Sequence, residues 1–246
     1  MRLVLPLILL LQVAGQARGQ APNDPFRFVV WPVEDVRALT GSVSTRTVIA
    51  VTGAAAIVGV SARFDDQFAG PARRWDGSPV LRVAQELGHA RAMRPALAVL
   101  FLGSLMQNDT RLQDASFTGL EAVIVANLVT NSFKAAFGRS RPYEGDGSRR
   151  FAPFSGHRSF PSGHATTAFA ALTPFARYYG GVPAVVLYGA AAATAFSRMA
   201  IGVHWFSDVL AGSAIGFATA SALTRLHRGR IRLSAGPGGA VLAVRL

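Results

Sequence analysis

The chain has 246 residues, of which 50% are hydrophobic and 15% charged, with a formal net charge of +12 and a mean hydropathy of +0.32. That length suits one domain with a sizeable core rather than two, and the balance lies between an ordinary soluble domain and a polytopic membrane protein. Cysteine is absent, which excludes disulfides and thiolate metal sites, and the positive charge points to an anionic partner: a membrane surface, a phosphorylated substrate or nucleic acid.

Nucleic acid is the poorest of the three, because the arginines are scattered through loops without a familiar binding motif. Two features of the composition are sharper. Of 25 basic residues one is lysine, Lys134, and the single acid beyond Asp146 is Asp208.

In chain order, residues 1–19 read as a secretory signal: Met1-Arg2 is a short positive end, Leu3–Val13 an apolar core, and Ala17-Arg18-Gly19 a small-residue cleavage site. An uncleaved anchor helix is the alternative, and either one addresses the chain to the cell envelope. Residues 20–43 hold Pro22, Pro25 and Pro32 and read as an irregular lead-in, with room for a short amphipathic turn near Val33–Leu39. Apolar stretches then alternate with loops, and the helix candidates are 44–62, 92–107, 115–137, 163–180, 182–201 and 205–226. The expectation is an all-α helical bundle of about six helices over residues 44–230, with the active site at one end. Residues 231–246 read as a small β-hairpin or a tail around Gly236-Pro237-Gly238-Gly239.

Up-and-down connection of these helices has a geometric consequence. The third candidate ends at Lys134, and the loop 138–161 stays on that side of the bundle. The fourth starts there at Ser162–His164, the fifth returns with Arg198, and the sixth departs with Asp208. The polar residues of this stretch therefore gather at one end.

Their chemistry suits a phosphate. Arginine offers a planar fork to phosphate oxygens and lysine a compact charge. Ser162 and Gly163 open a helix whose free amides and dipole favour an anion. His204 and Asp208 stand four apart, so the carboxylate can hold one ring nitrogen and leave the other to attack, while His164 can supply a proton to a leaving oxygen. Taken singly, each has a plainer reading: Arg141 as a loop charge, Ser162 as an N-cap, His204 as a packed residue beside Trp205, and Lys134 as a charge reaching for solvent. Asn127, Asn131 and Lys134 form a polar stripe that either faces solvent or lines the bundle interior. Convergence favours the chemical reading. A second Ser-Gly-His at 155–157 is taken as loop, since Pro161 disfavours helix at Phe160 and no row of amides follows.

At these residues the chain resembles the type 2 phosphatidic acid phosphatase superfamily, which includes bacterial acid phosphatases, lipid phosphate phosphatases and vanadium haloperoxidases. Three motifs match in order over about residues 115–220: Lys134-x6-Arg141-Pro142, Pro161-Ser162-Gly163-His164, and Ser197-Arg198-x5-His204-x3-Asp208. The resemblance implies that His204 is a nucleophile forming a phosphohistidine, Asp208 its orienting partner and His164 the general acid. It implies that Lys134, Arg141, Ser162, Gly163 and Arg198 bind the phosphate, and that no metal or other cofactor is needed.

The expected function is hydrolysis of phosphate monoesters or diphosphates on a lipid-linked substrate, of the phosphatidate or isoprenoid diphosphate type, at or in a membrane. The alternatives are a soluble periplasmic acid phosphatase of broad specificity, a vanadium haloperoxidase, and a non-catalytic protein that binds anionic lipid. Little sequence outside the core is left for a haloperoxidase's elaborated cofactor site, and complete motifs argue against a non-catalytic protein. One conflict stands. With a cleaved signal and six spanning helices the site would face the cytoplasm, whereas Arg225, Arg228, Arg230 and Arg232 after the sixth helix would place it outside.

Overall fold

The computed structural model describes residues 25–41, 44–107, 109–230, 232–236 and 239–243. Their α-helices are α1 (Arg27–Thr40), α2 (Thr45–Ser61), α3 (Asp65–Arg73), α4 (Pro79–Glu86), α5 (Ala90–Met106), α6 (Thr110–Phe137), α7 (Gly163–Tyr179), α8 (Gly181–Ala200) and α9 (Phe206–Arg230). Strands β1 (Arg232–Gly236) and β2 (Gly239–Ala243) pair antiparallel with Leu233 opposite Leu242. The residues expected as a secretory signal lie outside the described ones.

The all-α expectation holds, and the six helices read from apolar periodicity correspond to α2 and α5 to α9. Three more are present. Helix α1 occupies most of the stretch expected as an irregular lead-in and carries Pro32 in its interior. Proline is a poor guide there, because burial of Phe28 and Trp31 favours the helix against the one backbone bond that proline removes. Helices α3 and α4 are short and amphipathic, nine and eight residues long, which is below the length at which apolar periodicity speaks clearly.

The chain divides into two compact units, residues 1–42 with 225–246, and residues 43–224. In the first, the Trp31 ring stacks on His227 at 4.0 Å between centroids, and Asp35 Oδ2 lies 2.7 Å from His227 Nε2. The second holds every residue of the expected site.

Among the described residues, four helical runs are long and apolar enough to cross a membrane: Thr45–Arg73, Thr110–Phe137, Gly181–Ala200 and Phe206–Arg228. Helix α2 is apolar around its whole circumference, leaving Val48, Ile49, Val51, Ile57 and Val60 exposed, a pattern stable only against an apolar surrounding. Inside the second unit the core is built from small side chains. Ala122 and Ala126 of α6 meet Ala170 and Ala171 of α7 and Ala220 of α9, with Leu97, Val123 and Leu223 filling between them. Small residues let helix backbones approach closely. On α9, a Cβ at Gly212 would run into the Ser162 carbonyl, and one at Gly216 into the Thr166 carbonyl. These contacts press the start of α7 onto the first turns of α9.

Helix α6 ends at Gly138, which adopts the left-handed conformation at φ 52° and donates its amide to the Lys134 carbonyl at 3.0 Å. The chain then folds back on itself. Ala152 N–H donates to Gly138 O at 2.9 Å, Ser140 N–H to Arg150 O at 3.1 Å, and Phe154 N–H to Ala135 O at 2.9 Å. A Cβ at Gly138 would collide with the Ala152 carbonyl, whereas Gly145, at φ 79°, has open space around it. Gly138→Ala should therefore destabilise the detergent-solubilised protein by well over 1 kcal/mol, about the strain of an Ala at positive φ alone, and Gly145→Ala by about that strain only. Equal shifts in thermal unfolding at the two positions would remove the close approach as a cause.

Candidate active site

The bundle gathers the expected residues as their order in the chain requires. Lys134 comes from the last turn of α6, Arg141 from the loop behind it, and Ser162, Gly163 and His164 from the start of α7. Arg198 comes from the last turn of α8, His204 from the short connection after it, and Asp208 from the first turn of α9. Backbone bonds lock these pieces together. Ser162 N–H donates to the Asp208 carbonyl at 2.9 Å, and the amides of Val203 and His204 both donate to the Arg198 carbonyl, at 3.1 and 3.2 Å.

His204 lies in the connection and not on a helix, yet its four-residue spacing to Asp208 still brings the two together. His204 Nδ1 stands 3.5 Å from Asp208 Oδ2, with 4% and 0% of the two side chains exposed. Asp208 also caps its own helix, its Oδ2 accepting the Trp205 backbone N–H at 2.9 Å, as a third-position acid does when it reaches back to the helix start. Oδ2 further accepts the Ser159 hydroxyl at 2.5 Å.

The other carboxylate oxygen belongs to a residue that sequence reasoning passes over. Arg139 Nη1 donates to Asp208 Oδ1 at 2.6 Å and to Ser207 Oγ at 2.8 Å. Its Nη2 donates to Asp65 Oδ2 at 2.6 Å, and its Nε to the Ser148 carbonyl at 3.0 Å. Asp65 in turn accepts the Ser207 backbone N–H and the Ser207 hydroxyl, both at 2.8 Å. Arg139, Asp65, Ser207 and Asp208 are all buried. One guanidinium thus ties α3, the loop and α9 into a single charged cluster. Arg139 sits among the unspecified positions between Lys134 and Arg141, and Asp65 lies far upstream in a stretch with no motif.

The phosphate-binding candidates show a common feature. Ser162 stands at the N-cap position of α7 but makes no side-chain capping bond. Its Oγ is buried without a hydrogen-bond partner, and the same holds for His164 Nε2, Arg198 Nε and His204 Nδ1. Buried polar atoms without partners are costly and rare, and these four lie on four of the motif residues. By helix geometry the amides of Gly163, His164 and Ala165 also have no intrahelical carbonyl. Lys134 is buried, and its ammonium donates to the carbonyls of Arg158 at 2.6 Å and Ser159 at 3.4 Å. Its Cε comes within 3.8 Å of where a side chain on Gly163 would begin. The polar stripe on α6 divides: Asn127 is buried and donates to Thr167 Oγ1 at 3.0 Å, whereas Asn131 is exposed and accepts from Arg158.

Burial pushes the His204 imidazole down to about 4, the Asp208 hydrogen bond and charge opposing and the Lys134 and Arg141 charges adding to it. Burial likewise lowers His164 to about 3, with Arg198, His89, His204 and Lys134 contributing in the same direction. Both rings are therefore neutral at physiological pH in the free protein.

Residues 155–157 form part of the loop, as expected. His157 Nδ1 lies 3.0 Å from Glu144 Oε2 and joins none of the contacts above. Glu144, Asp146 and His157 stand within ligand distance of one another, but two of the three are exposed and the group forms no part of the cluster around Asp208.

Residues 117–232 match the PAP2 superfamily. That stretch is similar to the PAP2 superfamily and makes up just under half of the chain. All eight residues expected from the sequence lie inside it, as do Arg139, Ser159 and Ser207, whereas Asp65 precedes it. The lipid A 1-phosphatase of Rhizobium johnstonii is 40% identical over 131 residues, which cover 50% of this chain and 53% of that protein. The lipid A 1-phosphatase of Rhizobium etli is 34% identical over 164 residues, 64% of each chain. The chain thus spans between about half and two thirds of the length of these relatives. The PAP2 fold is shared with the crystal structure of a transmembrane PAP2 type phosphatidylglycerolphosphate phosphatase from Bacillus subtilis. That likeness has a TM-score of 0.54 at 20% identity and covers 82% of this chain and 96% of the other.

The buried cluster has a measurable consequence for stability. Arg139→Met keeps bulk but strands two buried carboxylates, and should cost about 3–5 kcal/mol of stability. Arg141→Met, at a partly exposed position, should cost under about 0.5 kcal/mol. Denaturant or thermal unfolding in detergent distinguishes the two, and equal losses would show that the cluster holds nothing in place.

Proposed function

We propose that this protein is a membrane-associated, metal-independent phosphatase that removes a phosphate group from a lipid through a phosphohistidine on His204. The observation that carries the reading is the set of buried, unpartnered polar atoms on Ser162, His164 and Arg198, in the same part of the molecule as His204 and two further cations, Lys134 and Arg141. A tetrahedral phosphate offers the acceptor oxygens these donors lack, and its charge offsets theirs.

In the proposed reaction Asp208 holds His204 by Nδ1, so that Nε2 faces the phosphorus. Attack forms an N–P bond as the P–O bond to the lipid breaks, and His164, protonated once the anionic substrate is bound, gives its proton to the departing oxygen. Water then attacks the phosphorus as His164, now neutral, takes its proton; the N–P bond breaks, His204 is restored and inorganic phosphate leaves. Lys134 spends two of its three donors on loop carbonyls, which leaves one for a phosphate oxygen. The Arg198 and Arg141 guanidiniums and the Gly163 amide complete the cradle.

A lipid-linked substrate is favoured over a soluble ester by the four helical runs among the described residues that are able to cross a membrane and by the exposed apolar residues of α2. The names of the Rhizobium relatives, lipid A 1-phosphatases, support a phosphorylated lipid of the lipid A type as the substrate. We place the protein in the cell envelope.

His204→Ala should abolish turnover, and rapid quenching of wild type with lipid A or phosphatidate should trap an acid-labile phosphoenzyme. Burial holds His204 neutral down to about pH 4, instead of the ordinary 6.5, so the phosphoenzyme should still form at pH 5. Vanadate should inhibit, and chelators should not. Full activity in His204→Ala, or strict dependence on a divalent ion, would sink the mechanism.

Lys134→Arg tests the cradle separately. Arginine is longer and planar, and Lys134 is enclosed by loop carbonyls and the Gly163 backbone. The variant should keep the fold but lose on the order of tenfold in kcat/KM, about 1.4 kcal/mol of transition-state stabilisation. Kinetics equal to wild type across substrates and salt would remove Lys134 from the cradle.

A further inference from the structure

Upstream of the PAP2 match, the turn between α4 and α5 touches two of the residues assigned above. Helix α4 is fixed to α8, because the buried Thr194 hydroxyl donates to the Ala84 carbonyl at 2.6 Å. From that anchored position Gln85 Oε1 accepts Arg198 Nη1 at 3.2 Å. Gly88 is buried directly against His164: a Cβ there would lie 2.7 Å from His164 Cβ, 2.8 Å from Cδ2 and 2.9 Å from Cγ. His89 then sets its ring edge-on to His164, with centroids 4.5 Å apart and planes at 72°.

We infer that the segment Gln85–His89 is a positioning arm of the site, which aims the His164 ring at the leaving oxygen and holds Arg198 in the phosphate cradle. The inference rests on the phosphatase reading and extends it to a part of the chain that none of the three motifs reaches. His164 Nε2 has no hydrogen-bond partner, so no polar contact at that atom orients the ring, and packing must do so. The packing surface is Gly88 and His89. Glycine is required there for space and not for conformation, since the residue has no positive φ and any side chain would meet the root of His164, which cannot swing aside as a flexible tip can. Displacement of a proton donor by about 1 Å is enough to lose much of its contribution, on the order of a hundredfold. Such a loss falls on the step that needs the proton and spares binding.

The test compares the full-length Gly88→Ala variant with wild type on an alkyl phosphate, whose alkoxide must be protonated to leave, and on nitrophenyl phosphate, whose phenolate leaves unaided. We expect kcat to fall about tenfold or more on the alkyl ester and less than about threefold on the nitrophenyl ester, with vanadate inhibition unchanged. Gly103→Ala, which has open space around it on α5, should behave as wild type on both. If Gly88→Ala does not fold, His89→Ala decides, with the same selective loss expected at about threefold or more. An active wild type whose variant loses both esters equally, or neither, overturns the positioning role alone. A wild type that hydrolyses neither ester overturns the phosphatase reading and the inference with it.

Discussion

A single buried guanidinium carries most of the order at the functional end of this molecule. Arg139 lies between Asp65 and Asp208, at 2.6 Å from each, and its remaining donors reach a backbone carbonyl and a serine hydroxyl. An arginine buried to this extent is tolerable only when its hydrogen-bonding groups are matched and its charge is balanced. Two carboxylates around one guanidinium more than balance it, and the surplus negative charge acts on Lys134 of the proposed phosphate cradle. The cluster is thus both a clamp on three chain segments and a source of the field in which His204 sits.

From that clamp the rest of the site follows by short steps. Asp208 is held at one oxygen by Arg139, which leaves the other for Ser159, the Trp205 amide and His204. Asp208 also offers its carbonyl to Ser162, so the start of α7 is keyed to the start of α9. The glycines of α9 allow that approach, and the alanine-rich core lets the helices behind it close up. Small residues at the helix contacts and charge at the bundle end are therefore parts of one design: the first permits the geometry that the second uses.

The arrangement divides labour between two zones. Long apolar helices with exposed valine, leucine and isoleucine face an apolar surrounding, and the polar chemistry is confined to loops and first or last turns at one end. A lipid phosphate has the same division, an apolar body with an anionic head. For the substrate proposed above, the opposing rules for burying charge and burying hydrocarbon favour a head among the cations and a body along the helices.

Much of this was legible in the sequence because the signals were local. Apolar runs of helical length marked α2 and α5 to α9, and three motifs spaced along an up-and-down bundle had to meet at one end. The lone lysine and the lone distal acid stood out by composition alone. What the sequence could not supply were the partners of those residues. Asp65 and Arg139 are 74 positions apart, and Gln85 and Arg198 are 113 apart; no periodicity or spacing links them. Short helices such as α3 and α4 gave no pattern long enough to read, yet α3 supplies the Asp65 carboxylate and α4 leads into the turn behind His164. Residue type and local spacing determined which groups were available for chemistry. Only the tertiary structure decided which of them are oriented and by what, because orientation comes from packing and charge pairing between segments that are distant in the chain.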